Sequence, residues 1–371
     1  MKISILAQDL LPALQAVSRS VGVRSSLPVL ANILLQTENG KLKISATNLE
    51  IGVIKKVNAE VVEEGEISVP AKTFLETISS LSGAKLDIEG SSDQLKITTS
   101  NFRASLNGIP ASEFPAIPLS SDNSILISPG VLKDSLPQIT FAAAVDEGRP
   151  VLTGILTEIR DGQLELVATD GFRLAHRKIS LENSSSFKAL IPRRTFEEIV
   201  RLIDEELTKG SEEEKVAIST SENQNQIIFK IGQSDLSSRL IEGQFPSWEK
   251  IIPKDFQNRA IVDRGEFLKA VKLSSIFAKD VANITKIKSA KGTLQLSSQT
   301  KELGEQETEL EATTEGDDIE VAFNSRFLID ALSACSATQV ILEFSGNLSA
   351  ALIKPVGQEG LEYIIMPVRL S

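Results

Sequence analysis

Few residues in this chain could carry catalysis. There is one histidine, His176, and one cysteine, Cys335. Histidine–metal clusters, cysteine-rich metal sites, an intrachain disulfide and histidine-assisted nucleophiles therefore fall away. Cys335 follows Phe327, Leu328 and Leu332 in an apolar helical pattern and reads as a buried structural thiol. His176 follows Arg173-Leu174-Ala175 in an alternating stretch and is expected on a strand surface. Asp170 is the tempting carboxylate, yet no partner acid or nucleophile–base pair accompanies it. Thr169-Asp170-Gly171 reads as a turn instead, because Asp-Gly is a common turn pair. Neither a Walker-type nor a Rossmann glycine pattern is present to cradle a phosphate. No catalytic residue, metal or cofactor is expected, and the chain is not expected to be an enzyme.

That leaves surfaces that bind without reacting, and the elements that would hold them. With 371 residues the chain exceeds one ordinary core and suits two or three domains. Hydrophobic residues make up 41% and charged residues 24%, a soluble globular profile. Apolar runs such as Ala142-Ala143-Ala144-Val145 are far too short to span a bilayer. Met1-Lys2-Ile3-Ser4-Ile5-Leu6 has no extended apolar region and reads as a strand, not a signal peptide, so a cytoplasmic location without membrane attachment is expected. The net charge of −11 argues against a conventional DNA binder with a dense basic face.

Self-similarity is the strongest signal. The stretch from Asn39-Gly40 through Leu42 and Ile44 to Ala46-Thr47 recurs 122 residues later, from Asp161-Gly162 through Leu164 and Leu166 to Ala168-Thr169. A weaker third copy is Lys291-Gly292-Thr293-Leu294-Gln295-Leu296. Each is a turn pair leading into a half-buried strand. Val69-Pro70-Ala71-Lys72-Thr73-Phe74 and Ile191-Pro192-Arg193-Arg194-Thr195-Phe196 keep the same spacing of 122, with a third copy at Phe323-Asn324-Ser325-Arg326-Phe327. Apolar residues three and four apart then predict amphipathic helices. The periodicity predicts six helix windows: 9–21, 69–81, 129–145, 191–203, 264–279 and 323–335. Breaks near 119 and 254 divide the chain into three α+β units, 1–119, 120–254 and 255–371. An open tandem array and a closed ring both fit such a triplication.

Five stretches stand out: Arg24-Ser25-Ser26-Leu27-Pro28-Val29-Leu30, Ala168-Thr169-Asp170-Gly171-Phe172-Arg173-Leu174, Glu242-Gly243-Gln244-Phe245-Pro246, Ala322-Phe323-Asn324 and Tyr363-Ile364-Ile365-Met366-Pro367-Val368-Arg369-Leu370. Together they resemble one family, the beta subunit of bacterial DNA polymerase III, the sliding clamps. The resemblance covers essentially the whole chain. It implies three tandem clamp domains, each of two β-α-β-β-β halves, in a head-to-tail homodimeric ring with the helices lining the hole. The implied function is a processivity factor that encircles double-stranded DNA without reading its sequence. It would tether the replicative polymerase, the clamp loader and repair proteins through short peptide motifs.

The resemblance also implies sites. A peptide pocket would comprise Leu152, Thr169, Gly171, Phe172, Arg173, Leu174, Pro246, Lys250, Ile251, Ile364, Met366, Pro367, Val368, Arg369 and Leu370. Lys250 stands where the family often has Arg, and Ser371 extends one residue past the familiar ending. Ring closure would involve Leu106, Ile276 and Phe277, although the last two could equally pack against their own helix. DNA would face Arg24, Lys72, Arg193, Arg194, Arg201, Lys269 and Lys272. The six helix windows hold eleven basic and seven acidic residues, a net +4, against −15 for the rest. A positive lining within an acidic chain suits weak phosphate contacts, though solvated helix faces would give the same count. The alternative is a tandem-domain structural protein outside replication.

Overall fold

The computed structural model describes every residue except 23–25, 121–123, 182–185, 209–213, 222–224, 279–282, 301–303 and 370–371. Its helices are α1 (Ala7–Ser18), α2 (Ala71–Ser80), α3 (Pro129–Ser135), α4 (Pro137–Thr140), α5 (Arg193–Leu207), α6 (Arg264–Ala278) and α7 (Ser325–Ala334). The chain gathers into two compact units: residues 1–132 with 198–240, and residues 133–197 with 241–371. Each holds strands from two of the successive sequence repeats.

In the first unit an eight-stranded sheet and a five-stranded sheet are present, both built from antiparallel pairs. The larger sheet is continuous across two repeats because strand Ser234–Arg239 pairs with strand Ile51–Asn58. The smaller one ends on strand Arg103–Asn107, which carries Leu106 opposite Leu95. Helix α1 turns Leu10, Ala13, Leu14 and Val17 inward, and α2 turns Phe74 and Ile78 inward, so each buries one apolar stripe. The unit also buries an ionic network. Nζ of Lys55 lies 2.6 Å from Glu205 and 3.4 Å from Glu206. Arg19 reaches Glu198 at 2.6 Å and Glu205 at 2.9 Å.

The second unit has a nine-stranded sheet, joined across repeats where strand Arg173–Ser180 pairs with Leu361–Ile365. A four-stranded sheet ends on strand Gly304–Glu311, and α6 packs against α7 and this sheet.

All three repeated turn pairs become two-residue hairpin loops. Their φ angles are 51° and 73° at Asn39-Gly40, 50° and 72° at Asp161-Gly162, and 49° and 85° at Lys291-Gly292. Positive φ at both central positions marks a type I′ turn, whose twist matches the flanking strands and whose sequence preference is Asn-Gly or Asp-Gly. Lys291 holds the same conformation without an Asn or Asp side chain to support it, at a cost of about 1 kcal/mol.

Two sequence expectations need correction. The window 129–145 is not one helix: α3 ends at Ser135, and Pro137 opens the separate four-residue α4. Proline lacks the amide hydrogen needed in a helix interior but is suited to a first helical position. His176 is on a strand, as expected, but is buried at 9% exposure instead of lying at the surface. Leu174, Ala175 and His176 are consecutive buried residues, so both faces of this central strand are covered.

Candidate partner-binding cleft

The second unit contains an apolar surface built from rows of facing residues. Leu190 faces Leu156, and Leu156 faces Val167. In the adjoining row Leu174 faces Ile364, which faces Leu352. Directly opposed residues share a sheet face. These six side chains form one buried cluster with Trp248, edged by the half-buried Val151, Ile241, Phe245, Ile251, Ile252 and Ala350. The Trp248 ring lies 4.6 Å from that of His176, whose nitrogens are 3.0 Å from Glu165 and 3.4 Å from Glu362. The His176 hydrogen bond holds the Glu362 carboxyl below the usual carboxylate range, against the opposing push of burial.

Beside this cluster is a cleft of about 590 Å³, lined by residues that include Lys250, Ile251, Ile252, Pro253, Phe256, Ala350 and Met366. Apolar walls with a few charged groups at the rim suit an apolar peptide anchor more than a polar metabolite. Among the described residues no group of three or more metal-ligating side chains occurs.

One edge of the surface is shaped by the turn Thr169–Arg173. The Thr169 hydroxyl donates to the Arg173 carbonyl at 2.6 Å and accepts from the Gly171 amide at 3.0 Å. Asp170 Oδ1 accepts from the amides of Phe172 and Arg173 at 2.9 and 3.0 Å. Asp170 is therefore a turn residue and not a reacting acid. The same four bonds recur in the first unit, where Thr47 and Asn48 hold Leu49, Glu50 and Ile51. Gly171 takes φ 91° and Leu49 takes φ 74°, a conformation that costs little for glycine and more for leucine.

The structure brings Leu174, Ile364, Ile251, Lys250 and Met366 to the cluster or its cleft. Met366 lies just after the last strand, not within it, and its amide donates to the Phe172 carbonyl at 2.9 Å. Leu152 and Thr169 are buried, Pro367 and Val368 half-buried, and Gly171, Phe172, Pro246 and Arg369 exposed. Leu370 lies outside the described residues. Sequence reasoning missed Trp248, Leu156, Val167, Leu190 and Leu352. Trp248 alone had an available signal, as the one tryptophan of the chain, two residues after Pro246.

Of the basic candidates, Lys72 is on α2, Arg193, Arg194 and Arg201 on α5, and Lys269 and Lys272 on α6. Arg193 pairs with Glu197 at 2.7 Å and Arg201 with Glu198 at 3.1 Å, which reduces their charge toward a ligand. The other four are exposed and, among the described residues, form no ion pair. Arg24 lies outside the described residues. Ile276 is 50% exposed, and Phe277 is half-buried. The inward face of α6 is made instead by Phe267, Ala270, Val271, Ser274 and Ala278.

Comparison with known proteins gives this geometry its context. Residues 1–118, 126–247 and 249–369 match the N-terminal, central and C-terminal domains of the DNA polymerase III beta subunit. The beta sliding clamp of Staphylococcus aureus is 30% identical over 364 residues, covering 95% of this chain and 94% of its own. That of Staphylococcus epidermidis is 29% identical over the same span. Among solved structures, the Bacillus subtilis sliding clamp superposes with a TM-score of 0.94 at 26% identity, with full coverage of both chains. The Pseudomonas aeruginosa beta subunit does so with 0.92 at 28%, again with full coverage. The chain is α+β, carries three tandem clamp domains, and belongs to the DNA polymerase III beta subunit family, the sliding clamps.

Proposed function

We propose that this protein is a DNA polymerase processivity factor, a homodimeric ring that encloses duplex DNA and catalyses nothing itself. Its domains would run 1–119, 120–254 and 255–371, a parsing supported by the spans of the three family models. Retention on DNA would come from enclosure. Lys72, Arg194, Lys269 and Lys272, with Arg24, Arg193 and Arg201, would add weak, salt-sensitive phosphate contacts that permit sliding. A separate ATP-driven loader would open the ring, since this chain has no recognisable nucleotide loop.

Ring closure is supported by the two terminal half-sheets. One has five strands and ends on Arg103–Asn107; the other has four and ends on Gly304–Glu311. Joined edge to edge they would make nine strands, the size of the continuous sheet in the second unit. Glu305, Glu307, Glu309 and Glu311 alternate along one edge, which opposes its pairing with a copy of itself. Arg103 lies on the other edge, and Leu106, Ile276 and Phe277 would seal the joint. Native mass spectrometry should give twice the chain mass of 40.1 kDa; a monomer or trimer would contradict this ring.

The tethering reading rests on one observation, the cleft beside the buried row Leu174, Ile364 and Leu352, with Met366 at its wall. It would take short peptides from the replicative polymerase, the clamp loader and repair proteins. A labelled Gln-Leu-x-Leu-Phe peptide should bind saturably in fluorescence polarisation with a Kd near micromolar, about −8 kcal/mol. Met366→Ala should weaken it about tenfold by removing a flexible apolar contact. Absence of binding to a verified dimer would void the cleft assignment while leaving the ring.

A further inference from the structure

The turn Thr169–Arg173, which holds the amide of the cleft residue Met366, and the C-terminal segment itself are fastened to one helix, and Arg173 does most of the fastening. Its Nε donates to Asp170 Oδ2 at 3.0 Å, within the turn. Nη1 donates to Asp330 Oδ2 on α7 at 2.5 Å, and Nη2 to the Phe141 carbonyl at 2.9 Å. The guanidinium carbon also lies 4.8 Å from the Phe327 ring centre and 5.2 Å from that of Phe141. The side chain is only 12% exposed. A guanidinium with a hydrogen bond from each of its three nitrogens and two rings against it has little left for a passing ligand.

The neighbouring residues repeat the attachment. Phe172 stacks on Phe327 with ring centres 6.3 Å apart, while its carbonyl accepts from the Met366 amide at 2.9 Å. Beyond Met366, the Val368 amide donates to the Ala322 carbonyl at 2.7 Å, in the strand that leads into α7. The turn and the C-terminal segment are therefore both anchored on the strand–helix unit 319–334.

We infer that Arg173 is a positioning residue, a clasp that locks the turn Thr169–Arg173, and through the Phe172 carbonyl the cleft residue Met366, onto α7 through Asp330, so that the placement of α7 sets the peptide-binding shape of the cleft. This deepens the peptide-cleft reading above and rests on it for the ligand, but the clasp itself can be tested without one. Peptide affinity should then respond to Asp330, a residue of the helix face and not of the cleft. A lysine at 173 would keep the charge but could not serve three directions at once.

The test uses the full-length chain. Asp330→Ala should weaken the labelled Gln-Leu-x-Leu-Phe peptide about three- to tenfold, and Asp330→Glu should restore most of the loss. Arg173→Lys should weaken it similarly, and the double variant Asp330→Ala with Arg173→Lys should be little worse than either alone. Hydrogen exchange supplies a readout independent of the peptide: in Asp330→Ala the amides of Phe172, Arg173 and Met366 should exchange faster. Wild-type affinity in both single variants would overturn the proposal, as would multiplicative losses in the double variant. If the unaltered chain binds no peptide, the cleft reading fails and exchange alone decides. Faster exchange at those three amides would sustain the clasp, and unchanged exchange would end it.

Discussion

Replacing Lys55 with alanine should lower folding stability by about 3–5 kcal/mol, measured as a reduced urea or thermal midpoint. Lys55 is 3% exposed on a central strand, with its ammonium against two glutamates of α5. Burying a charge is tolerated only when an opposite charge and hydrogen bonds replace its water. Removing the cation takes one charge partner from Glu206 and one from Glu205, which keeps Arg19, and gives back little apolar contact. The network also carries a pH signature. Burial pushes the Glu205 carboxyl up, but the hydrogen bonds and charges of Lys55 and Arg19 outweigh it and hold the group below the ordinary value of 4.5. A carboxyl depressed in the folded state contributes stability that is complete above its unfolded value and is lost as pH falls through the folded one. Wild-type protein should therefore lose this contribution from about pH 4.5 downward, and Lys55→Ala should lose less over the same interval. A flat difference between the two proteins from pH 7 to pH 3 would contradict the assignment.

Trp248→Ala should have the second large effect, and it should combine stability with binding. Trp248 is 6% exposed, joins the rows Leu190–Leu156–Val167 and Leu174–Ile364–Leu352, and lies against His176. Truncating a buried aromatic of this size costs about 3–5 kcal/mol, through lost transfer energy and the cavity left behind. Ile251 and Ile252 line the adjacent cleft and pack against this cluster, so they would lose support and peptide binding below the melting range should fall at least about tenfold. Trp248→Phe should recover much of the stability, because most of the apolar volume remains. A stable Trp248→Ala variant with undiminished peptide affinity would separate Trp248 from the cleft.

The parts legible in the sequence were those with strict backbone requirements. Asn39-Gly40 and Asp161-Gly162 announce type I′ turns because few other pairs accept positive φ at both positions. Lys291-Gly292 was faint because its first residue lacks that preference. Apolar spacing marks helices α2, α5 and α7, but in the window 129–145 the same spacing continues past Pro137, where the backbone breaks into two helices. Alternation puts His176 at the surface because it assumes one wet face, whereas its strand is covered on both. The cleft was half legible. Leu174, Ile251, Ile364 and Met366 came through family resemblance, but Leu156, Val167 and Leu352 look in sequence like any core strand residues. Which buried residue borders a cleft depends on pairing across strands nearly two hundred residues apart, as with Leu174 and Ile364. No local pattern encodes that. Trp248 could have been suspected from its rarity alone.

The unlike edges of the terminal half-sheets have a consequence in polymer chemistry. In the proposed ring each copy is a bifunctional monomer with a head and a tail: strand Arg103–Asn107 at one end and the glutamate-studded Gly304–Glu311 at the other. Such monomers add in one direction, and the angle turned at each joint decides between a closed cycle and an endless filament. A copy deprived of its glutamate edge would still cap an open partner but offer nothing to the next. Added in excess, it would act as a chain stopper, leaving open pairs that cannot enclose a duplex.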